Sequence, residues 1–262
     1  MCFDPLATPP SLPPDVTTYE VPRAELVLES GDTRFRAYLS LARPSSRTAV
    51  VVLPDVRGLF GYYERLTTRF AAAGHHAIVF DYFGRTAGVS PRPNDFEFMP
   101  HVKETTPEQI RADLAVCITA LREQADIDHV VTVGFCFGGS QSYLATTDPS
   151  LGLSGAIAFY GGLNPSRLGV FPSPAEEAKS MRGPILALFG GADPSIPAEL
   201  RDEFHHALTA SGVEHEFVVY PGAPHSFFDR SHNDHHTECD DAWRRTLRFL
   251  DSFAQASARP PA

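Results

Sequence analysis

Short apolar runs alternate with longer amphipathic stretches along most of the chain. Eight runs have the length and composition of strands: 24–29, 34–41, 49–53, 76–80, 129–133, 155–160, 184–189 and 214–220. The first two are separated by the turn residues Gly31 and Asp32, which predicts an opening hairpin. The later runs are almost continuously apolar, as in strands covered on both faces. Their alternation with helical stretches predicts a mainly parallel sheet between two helical layers.

Helix signals occupy the intervals between these runs. Helices are predicted over 62–73, from Pro107 to about residue 122, directly after Cys136, over 197–210 and over 240–253. Thr106, Pro107 and Gln109 form the signature of a capped helix start. Segments 86–105 and 161–182 are rich in proline and resist assignment. Both follow strand ends, so each is expected either to overhang the catalytic face or to be a plain surface excursion.

The stretch Gly134-Phe135-Cys136-Phe137-Gly138-Gly139 directly follows one of the predicted strands. It matches the G-x-S-x-G nucleophile elbow of α/β-hydrolases, with cysteine replacing serine. Small residues on either side of the nucleophile allow a tight strand-turn-helix, and the turn lifts the reactive side chain above the sheet. The alternative is that Cys136 is a small buried hydrophobe.

A thiol nucleophile needs a base, and the base needs an orienting carboxylate. Asp193 follows the strand predicted at 184–189, and His225 follows the strand predicted at 214–220. By themselves these would be an ordinary turn aspartate and a solvated loop histidine. The order nucleophile, acid, histidine is that of α/β-hydrolases, and each residue lies just beyond an apolar strand. The sequence therefore predicts a triad of Cys136, Asp193 and His225.

With these residues in place, the chain resembles the dienelactone hydrolase family. The resemblance rests on the Cys136 elbow, on Gly191-Ala192-Asp193 and on Gly222-Ala223-Pro224-His225-Ser226-Phe227, and it runs from about residue 23 to about residue 253. It implies an α/β-hydrolase fold, a mainly parallel central sheet with helices on both faces and no large separate lid domain. Residues 1–22, rich in proline, are predicted to be an extended or loosely ordered lead-in to a domain spanning 23–262.

The same resemblance implies further site residues. Asp55 stands where the family carries a glutamate that contacts the nucleophile, one methylene shorter. Arg85 matches one arginine that holds a substrate carboxylate; at the place of the second stands Asp229, and Arg230 follows one residue later. Val56 and Phe137 are expected to supply the backbone N–H groups of the oxyanion hole. Tyr82 is a candidate pocket aromatic, with a role in the core as the alternative.

Composition excludes several other classes of protein. Of 262 residues, 43% are hydrophobic, and the net charge of −10 argues against binding nucleic acid. No apolar stretch is long enough to span a membrane, and no signal peptide is visible. The four cysteines lack zinc-like spacing, and the histidine-rich run 232–240 suits a solvated loop and helix start better than a metal site. No cofactor, a cytoplasmic location and a monomer or homodimer are therefore expected.

These features predict a hydrolase for an activated ester or enol lactone of a small molecule. His225 would take the thiol proton, or the helix after Cys136 would stabilise the thiolate. The resulting thioester would be hydrolysed by water that His225 activates, with Asp193 holding the imidazole. Two alternatives remain. An acyl-transfer or cyclising enzyme would use the same thioester, and a catalytically silent binding module would use none of these steps.

Overall fold

The structure is a computed structural model that describes residues 7–164 and 171–257. Residues 1–6 of the predicted lead-in, residues 165–170 of the irregular segment 161–182 and residues 258–262 lie outside the described residues. A single eight-stranded sheet forms the centre of the molecule, in the order β1-β2-β4-β3-β5-β6-β7-β8. The strands are β1 Arg23–Ser30, β2 Thr33–Ser40, β3 Thr48–Leu53, β4 His76–Phe80, β5 His129–Phe135, β6 Gly155–Phe159, β7 Ile185–Gly190 and β8 His215–Tyr220.

Strand direction separates the opening hairpin from the rest of the sheet. β1 pairs with β2 and β2 with β4 in antiparallel register, whereas every pairing from β4 through β3, β5, β6 and β7 to β8 is parallel. The carboxyl ends of the parallel strands therefore meet at one edge, where α/β proteins place their ligands. All eight predicted strands are present. The six inner strands are mostly buried and leave apolar runs in the sequence, whereas the edge strands β1 and β8 are largely exposed or half-buried.

The helices cover both faces of the sheet. They are α1 Gly61–Ala72, α2 Gly84–Ala87, α3 Phe98–Glu104, α4 Pro107–Gln124, α5 Phe137–Ala145, α6 Pro174–Glu177, α7 Ala198–Ala210 and α8 His236–Ser257, with short 3₁₀ turns at Pro149–Leu151 and Ala178–Ser180. Two apolar clusters lie on opposite sides of the sheet, one around Phe70, Phe159 and Trp243 and the other around Phe80, Leu114 and Leu121.

Three local features refine the sequence interpretation. The predicted capping box of α4 is present, with Thr106 and Gln109 each bonded to the other's backbone. Helix α8 begins at His236, before the predicted residue 240, because Cys239 is a buried contact of the core with its thiol against the Phe227 carbonyl oxygen. The irregular segment 86–105 contains the short helix α3 and the end of α2, whose short sequences carry no clear helical period.

Residues 7–22 contain no helix or strand, yet they are fastened to the body of the protein. The Trp243 indole N–H donates to the carbonyl oxygen of Pro10 at 3.2 Å. Asp15 forms an ion pair with Arg244 at 2.7 Å. The described part of the proline-rich segment therefore lies in an extended conformation against α8. The division into a lead-in and a domain stays a prediction, since residues 1–6 lie outside the described chain.

Candidate active site

Four of the five adjacent parallel strands from β3 to β8 carry the predicted site at their carboxyl ends. Cys136 directly follows β5, Asp193 follows β7, His225 follows β8, and Asp55 with Val56 follows β3. Parallel strands bring these positions together although they are far apart in sequence. The topology of the sheet, with β3, β5, β6, β7 and β8 side by side, is what assembles them.

Cys136 occupies a sharp turn between β5 and α5. It has φ 55° and ψ −113°, a conformation that a residue with a side chain adopts only under strain. Its N–H donates to the Phe159 carbonyl oxygen at 3.0 Å, which ties the turn to β6. The side chain is half-buried and lies at the N-terminal end of α5. This position exposes the thiol to a cavity and places it where a helix dipole favours an anion.

The glycines of the elbow are required by space. A Cβ at Gly134 would lie 2.0 Å from the Gly138 carbonyl oxygen, and one at Gly138 would lie 2.1 Å from the Leu53 carbonyl oxygen. At Gly139 the nearest atom would be the Gly161 Cα at 2.7 Å. Any larger residue would push the helix away from the strands, so the small residues allow the close approach that the motif predicts.

Asp193 and His225 form a tight pair. His225 Nδ1 lies 2.6 Å from Asp193 Oδ2, and the aspartate is buried while the imidazole is partly exposed. Burial alone would raise the pKa of Asp193, but the hydrogen bonds from His225 and Ser195 outweigh it and hold that pKa below its ordinary value. The carboxylate is therefore charged at neutral pH and can orient the imidazole through Nδ1, which leaves Nε2 for proton transfer.

Ser195 is a neighbour of this pair that the sequence analysis did not single out. Its hydroxyl donates to Asp193 Oδ1 at 2.6 Å and its N–H donates to the same oxygen at 2.8 Å. The hydroxyl also lies 3.4 Å from His225 Nδ1. Ser195 thus holds the carboxylate oxygen that the histidine does not use. The only sequence signal was its place directly after Asp193-Pro194, which is a common turn arrangement without catalytic meaning.

A cavity of about 640 Å³ brings the triad residues together. Cys136, Asp193 and His225 all line it, as do Val56 and Phe137, the residues predicted to supply the oxyanion hole. The remaining lining residues are mostly apolar or amide side chains: Ser140, Gln141, Gly162, Leu163, Asn164, Phe171, Pro172, Pro194, Ser195 and Ile196. The segment 161–182 thus shapes the cavity, whereas no described residue of 86–105 lines it.

Asp55 and Tyr82 belong to the supporting layer of the site. Asp55 is fully buried; Oδ1 accepts from the Arg57 N–H at 2.8 Å, and Oδ2 has no hydrogen-bond partner among the described residues. Burial raises the pKa of Asp55 to about 6. The Tyr82 hydroxyl donates to the Pro54 carbonyl oxygen at 2.9 Å, and its ring meets Phe137 edge-on. Tyr82 therefore packs beneath the cavity, where it supports the loop that carries Val56.

The structure does not bring the two predicted substrate arginines into the cavity. Arg85 makes a two-pronged ion pair with the buried Asp113 of α4, at 2.5 and 2.7 Å, and a third contact with Ser30. Arg230 is exposed at the surface, while Asp229 before it is fully buried. Neither arginine is among the residues that line the cavity. Their predicted role in holding a carboxylate is not supported by this placement, because the Arg85 guanidinium is already engaged.

Two other features of the site were absent from the sequence interpretation. Tyr160 and Ser226 both have positive φ, 40° and 61°, and both lie beside the triad. The Tyr160 ring centroid is 5.0 Å from that of His225. Positive φ at a non-glycine residue cannot be predicted from the sequence, so only the structure reveals these two positions.

Two features are absent from the described residues: a metal-binding cluster and a membrane-spanning helix. Within 7–164 and 171–257, no group of three or more His, Cys, Asp or Glu side chains is arranged to hold a metal ion. No helix in that part of the chain is long and apolar enough to cross a membrane.

Comparison with known proteins identifies the family of the chain. The model of the Dienelactone hydrolase family matches residues 35–254, which is most of the chain. The chain belongs to the dienelactone hydrolase family. A protein of Escherichia coli K12 named "Putative carboxymethylenebutenolidase" is 32% identical over 213 residues, covering 78% of this chain and 76% of the relative. A Salmonella typhimurium protein of the same name is 34% identical over 225 residues, covering 81% of each chain.

Solved structures extend the agreement to the whole fold. A Klebsiella pneumoniae protein named "Putative Dienelactone Hydrolase" superposes with a TM-score of 0.76 at 25% identity, over 88% of this chain and 99% of that chain. A dienelactone hydrolase-like promiscuous phosphotriesterase from metagenomic libraries shares the fold, with a TM-score of 0.70 at 20% identity over 89% of this chain and 99% of that chain. Family membership makes this chain a hydrolase of the carboxylic ester class, with the predicted α/β-hydrolase fold.

Proposed function

We propose that this family member hydrolyses an activated carboxylic ester or enol lactone of a small molecule through a thioester on Cys136. The observation that carries the proposal is the junction of three groups on one cavity. A strained elbow presents the Cys136 thiol, and His225 faces the same cavity while Asp193 holds its Nδ1 at 2.6 Å. Nucleophile, base and orienting acid are the parts that nucleophilic acyl transfer requires.

The chemistry follows from this arrangement. His225 takes the proton of Cys136, and the thiolate adds to the substrate carbonyl. The carbonyl oxygen becomes negative and is stabilised by the backbone N–H groups of Val56 and Phe137. Collapse of the intermediate expels the alcohol or enol, which receives the proton from His225. Water, deprotonated by the same imidazole, then cleaves the thioester and restores the thiol.

The nucleophile restricts the substrate. In the tetrahedral intermediate a thiolate leaves more readily than a simple alkoxide, so the reaction is favoured when the other leaving group is stabilised. Enolate and phenolate leaving groups are stabilised in this way, which favours activated esters over amides and simple alkyl esters. The apolar walls formed by Phe137, Leu163 and Phe171 favour a small organic acyl group. A reducing, cytoplasmic location would keep the thiol available.

Replacing Cys136 with Ala tests the nucleophile. Hydrolysis of p-nitrophenyl acetate and of a panel of enol lactones is expected to fall by about 10³-fold or more, since the nucleophile acts as part of a unit. Cys117→Ala is the matched control, because this cysteine is buried in α4 away from the cavity and should keep its activity. If Cys136→Ala retained more than a few per cent of the wild-type rate, the assignment would be wrong.

The same substrates separate the alternatives. Mass spectrometry of the wild-type protein mixed with p-nitrophenyl acetate should show an added acetyl group that disappears with turnover. A stable acetyl group that an added amine or alcohol releases would identify an acyl-transfer enzyme. Failure to form any acyl-enzyme would identify a binding module. Cys136→Ser should be much slower than wild type if the surroundings favour a thiolate over an alkoxide.

A further inference from the structure

Asp229 is a fully buried acid that the proposed reaction does not use. It lies four positions after His225 in the loop that follows β8. Its Oδ2 accepts a hydrogen bond from the Tyr160 hydroxyl at 2.7 Å. Its Oδ1 accepts from the Arg230 N–H, and its carbonyl oxygen lies 2.8 Å from His232 Nδ1. A buried carboxyl with each oxygen engaged is a fixed anchor, since moving it would leave polar groups unsatisfied.

The residue that this anchor holds lies directly against the catalytic histidine. Tyr160 comes immediately after β6, where φ of 40° turns its side chain out of the strand direction. Its N–H donates to the Leu188 carbonyl oxygen at 2.7 Å, so the backbone is held as well as the hydroxyl. The phenol ring then packs beside the His225 imidazole, with centroids 5.0 Å apart and ring planes inclined by 55°.

We propose that Tyr160, anchored by Asp229, is a positioning residue that holds the His225 imidazole for proton transfer with Cys136. The inference rests on the proposed function, because it assigns His225 as the base. Asp193 binds the imidazole at Nδ1, on one edge of the ring. The fixed Tyr160 ring, with its centroid 5.0 Å from that of the imidazole, limits how far the imidazole can tilt. Small displacements of a catalytic group can cost up to about 10²-fold in rate.

The surroundings of Asp229 explain why it can serve as an anchor. The titratable groups that face it are Tyr160 after β6, Asp55 after β3, Tyr62 on α1, Cys239 on α8, and His225 with His232 in its own loop. Burial raises the pKa of Asp229 to about 8, and the charge of Asp55 acts in the same direction. At neutral pH the Asp229 carboxyl is therefore mostly uncharged. An asparagine keeps its shape but replaces one of the two accepting oxygens with an NH2 group, which cannot accept a hydrogen bond.

Two conservative variants test the proposal. Tyr160→Phe keeps the ring and removes the hydroxyl, and Asp229→Asn keeps the shape and alters the acceptor. Each is expected to lower kcat for p-nitrophenyl acetate by about 10-fold with KM changed less than twofold, within the range that misplacement of a catalytic group allows. Tyr143→Phe is the control, because Tyr143 is equally buried and its hydroxyl has no hydrogen-bond partner in the described part of the chain.

A second measurement needs no substrate. The rate at which iodoacetamide alkylates Cys136, followed against pH, reports how readily the thiolate forms. In Tyr160→Phe and Asp229→Asn the midpoint of this profile should move to higher pH by about half a unit or more, because a poorly held base assists the thiolate less. The double variant should lose no more than either single variant, because Asp229 is proposed to act through Tyr160.

The outcomes distinguish the inference from its alternatives. Unchanged kcat and an unchanged alkylation profile, with only a lower melting temperature, would show that Tyr160 is merely part of the core. Additive losses in the double variant would show that Asp229 acts independently of Tyr160, which would overturn the anchor. His225→Ala serves as the reference for the proposed function. If that variant left both kcat and the alkylation profile unchanged, the proposed triad itself would fail, whatever Tyr160 does.

Discussion

Backbone strain at single residues marks the site more sharply than residue type does. The described chain has four non-glycine residues with positive φ, and three of them, Cys136, Tyr160 and Ser226, lie at the triad or beside it. Each such conformation costs about 1–3 kcal/mol and persists only where the surrounding structure enforces it. Strain is therefore found at Cys136, which directs the thiol, at Tyr160, whose ring lies against the imidazole, and at Ser226, which follows His225.

Arg85 illustrates the limit of arguments from position alone. The resemblance assigned it to a substrate carboxylate, whereas the structure shows both prongs of its guanidinium on the buried Asp113. We expect Arg85→Ala to leave the ratio of kcat/KM between carboxylated and neutral lactones unchanged. It should instead lower the free energy of unfolding by about 3 kcal/mol, because it leaves a buried carboxylate without its partner.

Two measurements test this prediction for Arg85→Ala. Urea unfolding reports the loss of stability, and kinetics on matched carboxylated and neutral lactones report the kcat/KM ratio. Asp113→Leu added to Arg85→Ala should restore part of the lost stability, since the buried charge is then removed. A selective loss on carboxylated lactones of 10-fold or more, with neutral esters unaffected, would instead return Arg85 to the substrate site. Arg85→Lys would then recover only part of that loss, because an ammonium cannot reproduce the two-pronged contact.

At the scale of elements, the elbow depends on how closely α5 approaches β3 and β5. Gly138 is the tightest link between the helix and β3, since a Cβ there would meet the Leu53 carbonyl oxygen at 2.1 Å and the Pro54 carbonyl oxygen at 2.3 Å. These carbonyls belong to backbone that cannot rotate away. The loop that they begin also carries Val56, so a displaced helix would disturb both the nucleophile and the oxyanion loop.

Gly138→Ala is therefore expected to lower both stability and activity. We expect a loss of about 2 kcal/mol or more in the free energy of unfolding, the scale of overpacking in a core, and a fall in kcat of at least 10-fold. Gly222→Ala is a matched control, because no atom lies within 4 Å of a Cβ built there. A Gly138→Ala protein with wild-type melting temperature and kcat would contradict the close approach seen here.

Elements also show which sequence signals can be trusted. The inner strands were predictable because burial on both faces demands an apolar run, and α4 was predictable because its capping box is local. Helices α2 and α3 could not be predicted, since they are short and their stability comes from packing. His101 of α3 stacks on Phe96. Arg92, in the loop between α2 and α3, pairs with the buried Asp81. Contacts of this kind depend on neighbours that the local sequence does not specify.

At the scale of the whole molecule, two buried acids link stability to pH. Burial raises the pKa of Asp229 to about 8 and that of Asp55 to about 6, against about 3.9 in an unfolded chain. Both groups bind protons more tightly when the protein is folded. Their contribution to stability is thus fully present below about pH 4 and is lost as pH rises through about 6 and then about 8.

We therefore expect the free energy of unfolding in urea to fall by about 5 kcal/mol between pH 5 and pH 9. Asp229→Asn should remove the larger part of this slope, because an amide does not titrate. Asp202→Asn, which changes an exposed aspartate on α7, is the control and should keep the wild-type slope. A wild-type slope in Asp229→Asn would show that this buried carboxyl does not carry the pH dependence.

The sequence by itself determined the fold class, the order of the strands along the chain and the three residues of the predicted triad. These features follow from local rules: burial period, turn chemistry and the order of nucleophile, acid and histidine after apolar strands. Cys136, Asp193 and His225 could each be named because a strand end precedes each one.

Only the tertiary structure decided which side chains surround that triad. The Tyr160 ring on His225 and the Asp113 partner of Arg85 are contacts between segments separated by tens of residues. They depend on the strand order of the sheet and on backbone angles that cannot be predicted from residue type. The physical reason is that a side chain's partner is set by where the fold places its neighbours, and this information is not local in the chain.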